Sequence, residues 1–180
     1  MTIKIGINGF GRMGRLSMRV AYEWDDVEII KINDPAGNAE TLAHLLNFDS
    51  VHGIWQHQAH GVDQSIVIND HVIACSQNKN ISDTDWSDCD VVIEASGVMK
   101  TKALLQAYLE QGVKRVVVTA PVKEEGILNI VMGVNDDQYD ANNHQIVTAA
   151  SCTTNCLAPV VKVIHENIGI KHGSMTTIHD

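Results

Sequence analysis

Short apolar segments alternate with longer amphipathic ones along most of the chain. Five segments are apolar and rich in β-branched residues, the pattern of buried strands. They are residues 3–7, 27–32, 90–94, 115–118 and 146–148. Three others, residues 12–24, 38–46 and 101–111, carry apolar positions at helical spacing. Because strands that alternate with helices form βαβ units, we predict an α/β fold with a doubly wound, mostly parallel sheet.

This alternation ends near Ala150. Residues 152–168 have one long helical periodicity that contains Pro159, and residues 173–179 predict one more strand. An interior proline costs about 3 kcal/mol unless the helix bends or starts late. We expect two units, residues 1–150 and the incomplete start of an α+β domain at residues 151–180. The chain therefore looks cut short.

Charge and cysteine content limit the partners and the compartment. Thirteen Lys and Arg against 22 Asp and Glu give a net charge of −9, which disfavours nucleic acids and anionic membranes as partners. The first ten residues lack the features of a secretory signal, and no apolar run approaches the ~18 residues of a membrane span. The four cysteines form no regular disulfide framework and show no metal-site spacing. We expect a cytoplasmic protein without a metal.

A glycine-rich turn follows the first predicted strand. Gly9-Phe10-Gly11-Arg12-Met13-Gly14 matches G-x-G-x-x-G, and it opens a helix within a βαβ-sized unit. In that context Gly9 allows a sharp turn, Gly11 lets the backbone reach a pyrophosphate, and Gly14 lets the helix approach the strand. An isolated match could equally be a tight turn that needs small residues. The context favours a Rossmann-type dinucleotide site.

Asp34 ends the second strand, about 20 residues beyond the motif, where a carboxylate binds the adenosine ribose. A carboxylate there repels a 2′-phosphate, so NAD is preferred over NADP. Asp34 before Pro35 is also a favoured turn residue. Together with the glycine motif, the position favours the cofactor interpretation.

Cys152 lies where a strand gives way to a helix, with Ser151 as a good N-cap. A free thiol is only slightly ionised near neutral pH, and a helix N terminus and a nearby imidazole would favour the thiolate that nucleophilic attack requires. His179 is a candidate partner. Alternatively, Cys152 and Cys156 are small core residues, as we expect for Cys75 and Cys89.

Several motifs together resemble the glyceraldehyde-3-phosphate dehydrogenase family over the whole chain. They are Gly6-Ile7-Asn8-Gly9-Phe10-Gly11-Arg12-Met13-Gly14-Arg15, Asn33-Asp34-Pro35, Glu94-Ala95-Ser96-Gly97, Thr119-Ala120-Pro121, Met132-Gly133-Val134-Asn135 and Ala150-Ser151-Cys152-Thr153-Thr154-Asn155-Cys156-Leu157-Ala158-Pro159. The resemblance implies a glycolytic, NAD-dependent enzyme that converts a sugar phosphate and inorganic phosphate into an acyl phosphate, and that is a homotetramer when complete.

The resemblance also implies roles for individual residues. Catalysis would rest on Cys152, which forms a thiohemiacetal and then a thioester, and on His179 as proton acceptor. Cofactor contacts are implied for Gly9, Gly11, Arg12, Met13, Gly14, Asp34, Lys79, Ser96, Gly97 and Thr119. Lys79 falls where the family often has an arginine. Ser151, Thr153 and Thr154 would bind the inorganic anion or the substrate phosphate.

The chain departs from the family pattern at Val122-Lys123-Glu124 and at Asp180. The combination resembles the branch associated with arsenate resistance, in which arsenate replaces phosphate and an exporter removes the product. An erythrose-4-phosphate dehydrogenase is an alternative, because substrate-selecting residues lie mostly beyond Asp180. The 180 residues alone are a second alternative, a fragment that binds NAD weakly and turns over no substrate. A short-chain dehydrogenase is excluded, because no tyrosine is followed four residues later by lysine.

Overall fold

The computed structural model describes residues 2–178. In this range the strands are β1 (Ile3–Asn8), β2 (Val27–Asn33), β3 (Phe48–Asp49), β4 (Gly53–Ile54), β5 (Ala59–Val62), β6 (Ser65–Ile68), β7 (His71–Ser76), β8 (Val91–Glu94), β9 (Arg115–Val118), β10 (Leu128–Asn129) and β11 (Ile146–Thr148). The helices are α1 (Arg12–Ala21), α2 (Ala39–Asn47), α3 (Lys102–Glu110) and α4 (Cys152–Asn167). Short 3-10 turns occupy Ile81–Asp83 and Asp136–Gln138.

The main sheet has the strand order β10-β11-β9-β8-β1-β2-β7-β6-β5. Pairings from β10 to β7 are parallel, and only β6 and β5 are antiparallel. The parallel strands β7-β2-β1-β8-β9-β11 reproduce the doubly wound 3-2-1-4-5-6 order, in which the winding direction reverses between β1 and β8. The prediction of a doubly wound, mostly parallel sheet is confirmed. Such folds bind dinucleotides beyond the carboxyl ends of the strands at this reversal.

Alternating side chains of the central strands build two cores, one on each face of the sheet. Ile5 and Ile7 of β1 pack with Met18 of α1 in the first core. The second core contains Trp86 and the buried side of α3. Gly6 faces this second core, where an added Cβ would lie 2.8 Å from the Cys89 sulfur and from the Trp86 ring. Both sheet faces are therefore closely packed at β1, the strand that leads into the glycine-rich turn.

The face of α1 that is buried is not the face that the apolar periodicity of its sequence predicts. Met13 and Val20 are 51% and 59% exposed, whereas Gly14, Met18 and Ala21 face the sheet. The helix is rotated because Gly14 must contact the backbone of the preceding turn, which only a residue without a side chain allows. Helical spacing predicted the helix correctly but not its inward face.

Near the end of the described residues, the predicted strand is wrong. The proline inside the predicted helix is tolerated. Residues 173–178 form no strand, because no segment of residues 2–178 pairs with them; residue 179 lies outside the described range. Helix α4 continues through Pro159, and none of its residues is buried. Between residues 2 and 178, no helix has both the length and the apolarity needed to cross a bilayer.

Candidate cofactor and active site

The glycine-rich turn between β1 and α1 is closely packed on both sides. Gly9 has φ +88°, and a Cβ there would lie 2.3 Å from the Ser96 amide nitrogen. A Cβ on Gly14 would lie 2.1 Å from the Gly9 carbonyl oxygen. In contrast, a Cβ on Gly11 would meet no atom within 4 Å. Gly9 and Gly14 are therefore required for packing, whereas Gly11 leaves open space over the backbone.

The N terminus of α1 suits an anionic ligand. Side chains cap the other three helices, since Asn38, Thr101 and Ser151 each accept a hydrogen bond from the first turn. Gly11, the N-cap of α1, provides no such group, and the first turn contains no acidic residue. Free N–H groups at a helix N terminus bind phosphate groups. These residues therefore fit the pyrophosphate of a dinucleotide.

Asp34 and Arg15 hold this turn in place. One Asp34 oxygen accepts a hydrogen bond from the Phe10 amide at 2.6 Å, and the other accepts one from the Ala36 amide at 2.8 Å. The Arg15 guanidinium donates to the Phe10 carbonyl at 3.0 Å. Each carboxylate oxygen can accept more than one hydrogen bond, so Asp34 keeps lone pairs for a ligand. The residue predicted to bind a ribose thus also fixes the turn that would hold the pyrophosphate.

Arg12, Met13 and Lys79 are exposed members of the predicted cofactor set, as are Gly11 and Gly97. The Arg12 guanidinium lies 3.2 Å from Asp49, so its side chain pairs with the protein. Hydrogen bonds from the His52 and Val51 amides lower the pKa of Asp49, which keeps this partner charged. Lys79 lies in the loop after β7, on the Asp34 side of the crevice. Arg12 and Met13 begin α1, so their backbone forms the first turn of this helix.

The opposite side of the crevice is formed by the ends of β8 and β9. Ser96 and Gly97 follow β8 in a turn in which Gly97 has φ +76°. The Ser96 amide and hydroxyl both donate to Glu94, at 2.8 and 2.5 Å. Thr119 follows β9, and its amide donates to the Glu94 carbonyl at 2.9 Å. The structure therefore brings Ser96, Gly97 and Thr119 to the same sheet edge as the glycine-rich turn.

Cys152 begins α4 immediately after a constrained turn. Ala150 is buried and has φ +55°, a left-handed conformation that is unfavourable for a residue with a Cβ. The Asn155 side-chain amide donates to the carbonyls of Ala149 and Ser151, at 2.7 and 2.9 Å, and so bridges the turn. Ser151 caps the helix by accepting from the Thr154 amide at 3.0 Å. Cys152 is thereby presented as an exposed thiol in the first turn.

The candidate anion-binding residues flank Cys152 in sequence and line two separate cavities. The hydroxyls of Ser151 and Thr154 lie 2.7 Å apart, and Thr153 is half-buried beside Cys152. A cavity of about 390 Å³ reaches Ser151, Thr154 and Lys123. Another, of about 530 Å³, is lined by Cys152, Thr153 and Cys156 together with residues 175–178. The proposed catalytic partner His179 lies outside the described residues.

The four cysteines fall into two classes. Cys89 is buried and Cys75 half-buried, and burial raises the pKa of both thiols to about 11. They stay protonated near neutral pH, as expected of core residues. Cys152 and Cys156 are exposed in the part of the chain that the structure describes. No group of three or more potential metal-binding side chains occurs within residues 2–178.

The sheet fixes the positions of the glycine-rich turn and the Cys152 thiol relative to each other. Both follow parallel strands, so both lie at the carboxyl edge of the sheet. Strand β11, which leads to Cys152, is three strand spacings from β1, or about 14 Å. The intervening strands β8 and β9 carry Ser96, Gly97 and Thr119 at the same edge. A cofactor extended from the glycine-rich turn across these two strand ends would point toward Cys152.

The sequence analysis assigned no role to several polar residues at this edge. Asn8, Asn33 and Glu94 are each the last residue of an apolar strand, and all three are buried. A polar residue at the end of a buried strand was the available signal. Tyr108, in contrast, is a polar position on a helix that no sequence pattern marked, and Asn155 was quoted only as part of the cysteine motif.

Comparison with known proteins agrees with this geometry. Residues 3–102 match the family described as glyceraldehyde 3-phosphate dehydrogenase, NAD binding domain, and residues 151–180 match glyceraldehyde 3-phosphate dehydrogenase, C-terminal domain. Similar curated proteins include glyceraldehyde-3-phosphate dehydrogenase 3 of Nostoc sp., 52% identical over 100% of this chain and 54% of its own length. Glyceraldehyde-3-phosphate dehydrogenase 1 of Bacillus cereus is 47% identical over 98% of this chain and 53% of its own length.

Glyceraldehyde-3-phosphate dehydrogenase 2 of Bacillus subtilis is 43% identical over 99% of the chain and 53% of its own length. The chain thus spans about half the length of these curated relatives. Both parts of the family, the NAD-binding part and the beginning of the C-terminal part, are matched in order. The chain belongs to the glyceraldehyde-3-phosphate dehydrogenase family, and residues 3–102 match the family's NAD-binding domain.

Proposed function

We propose that the complete protein oxidises glyceraldehyde 3-phosphate with NAD, through a thioester on Cys152, and transfers the acyl group to an inorganic anion. The observation that carries this proposal is the placement of Cys152: an exposed thiol in the first turn of α4, at the sheet edge that holds the glycine-rich turn. A division into residues 1–150 and 151–180 places the cofactor and the nucleophile on successive domains.

The chemistry begins with bond formation between sulfur and the aldehyde carbon. His179 takes the proton of the Cys152 thiol, the thiolate attacks the carbonyl carbon, and the carbonyl oxygen takes that proton from His179 to give a thiohemiacetal. Bound NAD would supply the hydride acceptor that oxidation of this thiohemiacetal to a thioester requires. His179 takes the proton released from the hydroxyl group. The thioester conserves the oxidation energy that direct hydrolysis would lose.

Acyl transfer depends on the residues around α4. Ser151, Thr153 and Thr154 provide hydroxyl groups, and the helix N terminus provides a positive dipole, which together bind an anion. An oxygen of that anion attacks the thioester carbon, the carbon–sulfur bond breaks, and Cys152 leaves as a thiolate. With phosphate the product is an acyl phosphate. With arsenate, the acceptor suggested by the departures at Val122-Lys123-Glu124 and Asp180, it is an acyl arsenate.

Assembly and compartment follow the same reasoning. Helix α4 exposes apolar side chains such as Val160 and Val163, which more protein would cover in the complete chain or in an oligomer. A homotetramer is the proposed assembly. An exposed thiol that must stay reduced is suited to the cytoplasm.

The test is an absorbance assay for NADH on the full-length protein. We expect NADH formation with glyceraldehyde 3-phosphate and a lower kcat/KM with erythrose 4-phosphate, in the presence of phosphate or arsenate. The ratio of the rates with the two anions identifies the preferred acceptor. Absence of NADH formation with either sugar phosphate, in protein shown to be folded, would reject the proposal.

Asp34 provides a test of cofactor choice. Asp34→Asn removes the charge that repels a 2′-phosphate but retains an oxygen that can accept from the Phe10 amide. We expect the preference for NAD over NADP, measured as the ratio of kcat/KM values, to fall roughly tenfold or more. A matched control is Asp63→Asn, an exposed aspartate in the β5–β6 turn. An unchanged ratio in Asp34→Asn would show that this carboxylate does not face the ribose.

A further inference from the structure

Four buried polar side chains lie beneath the dinucleotide crevice. Glu94, Asn8 and Asn33 end the adjacent strands β8, β1 and β2, and are 1%, 4% and 3% exposed. Tyr108 of α3, which is fully buried, reaches the same group from the helix layer. We call these four residues the strand-end relay. Burying so many polar groups is costly unless each one is hydrogen-bonded.

Glu94 is the centre of the strand-end relay. One of its oxygens accepts from the Asn8 side chain at 2.8 Å and from the Tyr108 hydroxyl at 2.5 Å. The other accepts from the amide and hydroxyl of Ser96. Burial, together with the Glu94 charge, raises the pKa of Tyr108, so its hydroxyl remains a donor. Four donors thus fix the carboxylate, and the carboxylate in turn fixes Ser96.

The relay continues across the reversal of the sheet. The Asn33 side-chain amide donates to the Asn8 side-chain oxygen at 2.7 Å and to the Asn78 backbone carbonyl at 2.9 Å. The Asn33 side-chain oxygen accepts from the Asn78 amide at 2.8 Å. An uninterrupted series of hydrogen bonds therefore joins the turn at Ser96, on one side of the crevice, to the loop at Asn78, on the other.

The glycine-rich turn lies directly against this network. The Gly9 amide donates to the Asn33 carbonyl at 2.8 Å, and the Ala95 amide donates to the Asn8 carbonyl at 2.7 Å. The backbone of Ala95 and Ser96 leaves no room for even a Cβ on Gly9. Because of this contact, a displacement of Ser96 must also displace the turn that would hold the pyrophosphate.

We propose that Tyr108 and Glu94 are positioning residues for the dinucleotide: through Ser96 they hold the backbone against which the glycine-rich turn packs, and they thereby set the affinity for NAD. Neither side chain needs to touch the cofactor, since both lie beneath it. Apolar residues could fill the same space where packing alone mattered, whereas a fully hydrogen-bonded network fixes a geometry. The proposal rests on the proposed function only for the identity of the ligand.

The first test is Tyr108→Phe in the full-length protein. This change leaves the Glu94 carboxylate with three donors and keeps the ring contact with Trp86. We expect the KM and dissociation constant for NAD to rise roughly tenfold, the effect of one lost partner in a buried network. We expect kcat at saturating NAD and the KM for the aldehyde to stay at wild-type values. Enzyme kinetics and calorimetric titration with NAD measure these constants.

Two control variants separate positioning from general destabilisation. Tyr22→Phe removes a hydroxyl whose nearest acceptor, the Ile68 carbonyl, is 3.5 Å away and remote from the relay. Leu105→Val loosens the buried face of α3 without removing a hydrogen bond. Both variants should bind NAD with wild-type affinity. This should hold even if Leu105→Val lowers the melting temperature as much as Tyr108→Phe does. NAD binding that weakens equally in Leu105→Val and Tyr108→Phe would overturn the proposal.

Glu94→Gln provides a second variant, and a double-mutant cycle joins the two. Glutamine presents a donor where Glu94 accepts, so we expect weaker NAD binding again. In the double variant with Tyr108→Phe, the fold-loss of NAD affinity should be smaller than the product of the two single losses, because both changes disrupt the same strand-end relay. The positioning role would be refuted if the loss in the double variant equalled the product of the single losses, or if both folded single variants bound NAD with wild-type affinity. Either result would leave the proposed function intact. A wild-type protein that fails to bind NAD would instead refute the proposed function.

Discussion

Cys152→Ser should lower NAD-dependent aldehyde oxidation by roughly four orders of magnitude, because a hydroxyl at this position is not ionised and forms no thioester. Serine is close to cysteine in size, and the side chain is exposed, so folding should be preserved. NAD binding should be preserved as well, because the cofactor contacts are assigned to other residues. Steady-state kinetics with glyceraldehyde 3-phosphate, together with calorimetric titration of NAD, measure both expectations.

Cys156→Ser is the matched control for this experiment. Cys156 lies one helical turn further along α4, is also exposed, and lines the same cavity as Cys152. If activity required only an exposed thiol, the two variants would lose activity alike. If the nucleophile is the thiol in the first turn of α4, only the Cys152 variant should lose activity. We expect Cys156→Ser to retain activity within about threefold of the wild type. Comparable activity losses in the two variants would argue against the assignment of Cys152.

Gly14→Ala and Gly11→Ala should differ in their effect on folding, although both should weaken NAD binding. A methyl group on Gly14 would lie 2.1 Å from the Gly9 carbonyl, so α1 must shift, at a cost of about 1–3 kcal/mol in unfolding free energy. Gly11 has φ −67° and open space above it, so its methyl group is tolerated in the fold, at a cost below about 1 kcal/mol. That methyl group would, however, occupy the space into which the pyrophosphate must approach.

Denaturant unfolding and NAD titration of the full-length variants distinguish these effects. We expect Gly14→Ala to lose stability and NAD binding together. We expect Gly11→Ala to keep its stability and to bind NAD roughly tenfold more weakly or worse. Wild-type affinity in Gly11→Ala would show that the pyrophosphate does not lie over this turn, and wild-type stability in Gly14→Ala would show that the helix does not approach so closely.

Local sequence patterns predicted the elements that form the site. Apolar β-branched runs located β1, β2, β8, β9 and β11, and the N-caps Asn38 and Ser151 were identified from their chemistry. These features depend on a few neighbouring residues and on capping rules that hold in most folds. The alternation of strands and helices then predicted the parallel sheet. It also predicted the sheet edge at which the glycine-rich turn and the Cys152 thiol lie.

Features that depend on distant contacts were not predictable. Periodicity could not show that Gly14 rather than Met13 faces the sheet, because that choice depends on the backbone of the preceding turn. The strand expected at residues 173–179 needs a hydrogen-bonded neighbour, and residues 173–178 have none within residues 2–178. The partnership of Tyr108 with Glu94 and Asn8 joins residues up to 100 positions apart. Only the folded chain reveals such a relay.

The account depends most on acyl transfer to one sulfur atom. The direct measurement is mass spectrometry of the full-length protein after reaction with NAD and glyceraldehyde 3-phosphate in the absence of phosphate and arsenate. The predicted result is one 3-phosphoglyceroyl group per subunit, found on the peptide that contains Cys152 and removed when phosphate is added. NADH formation without any acyl group on Cys152, or an acyl group carried by Cys156 instead, would contradict the account.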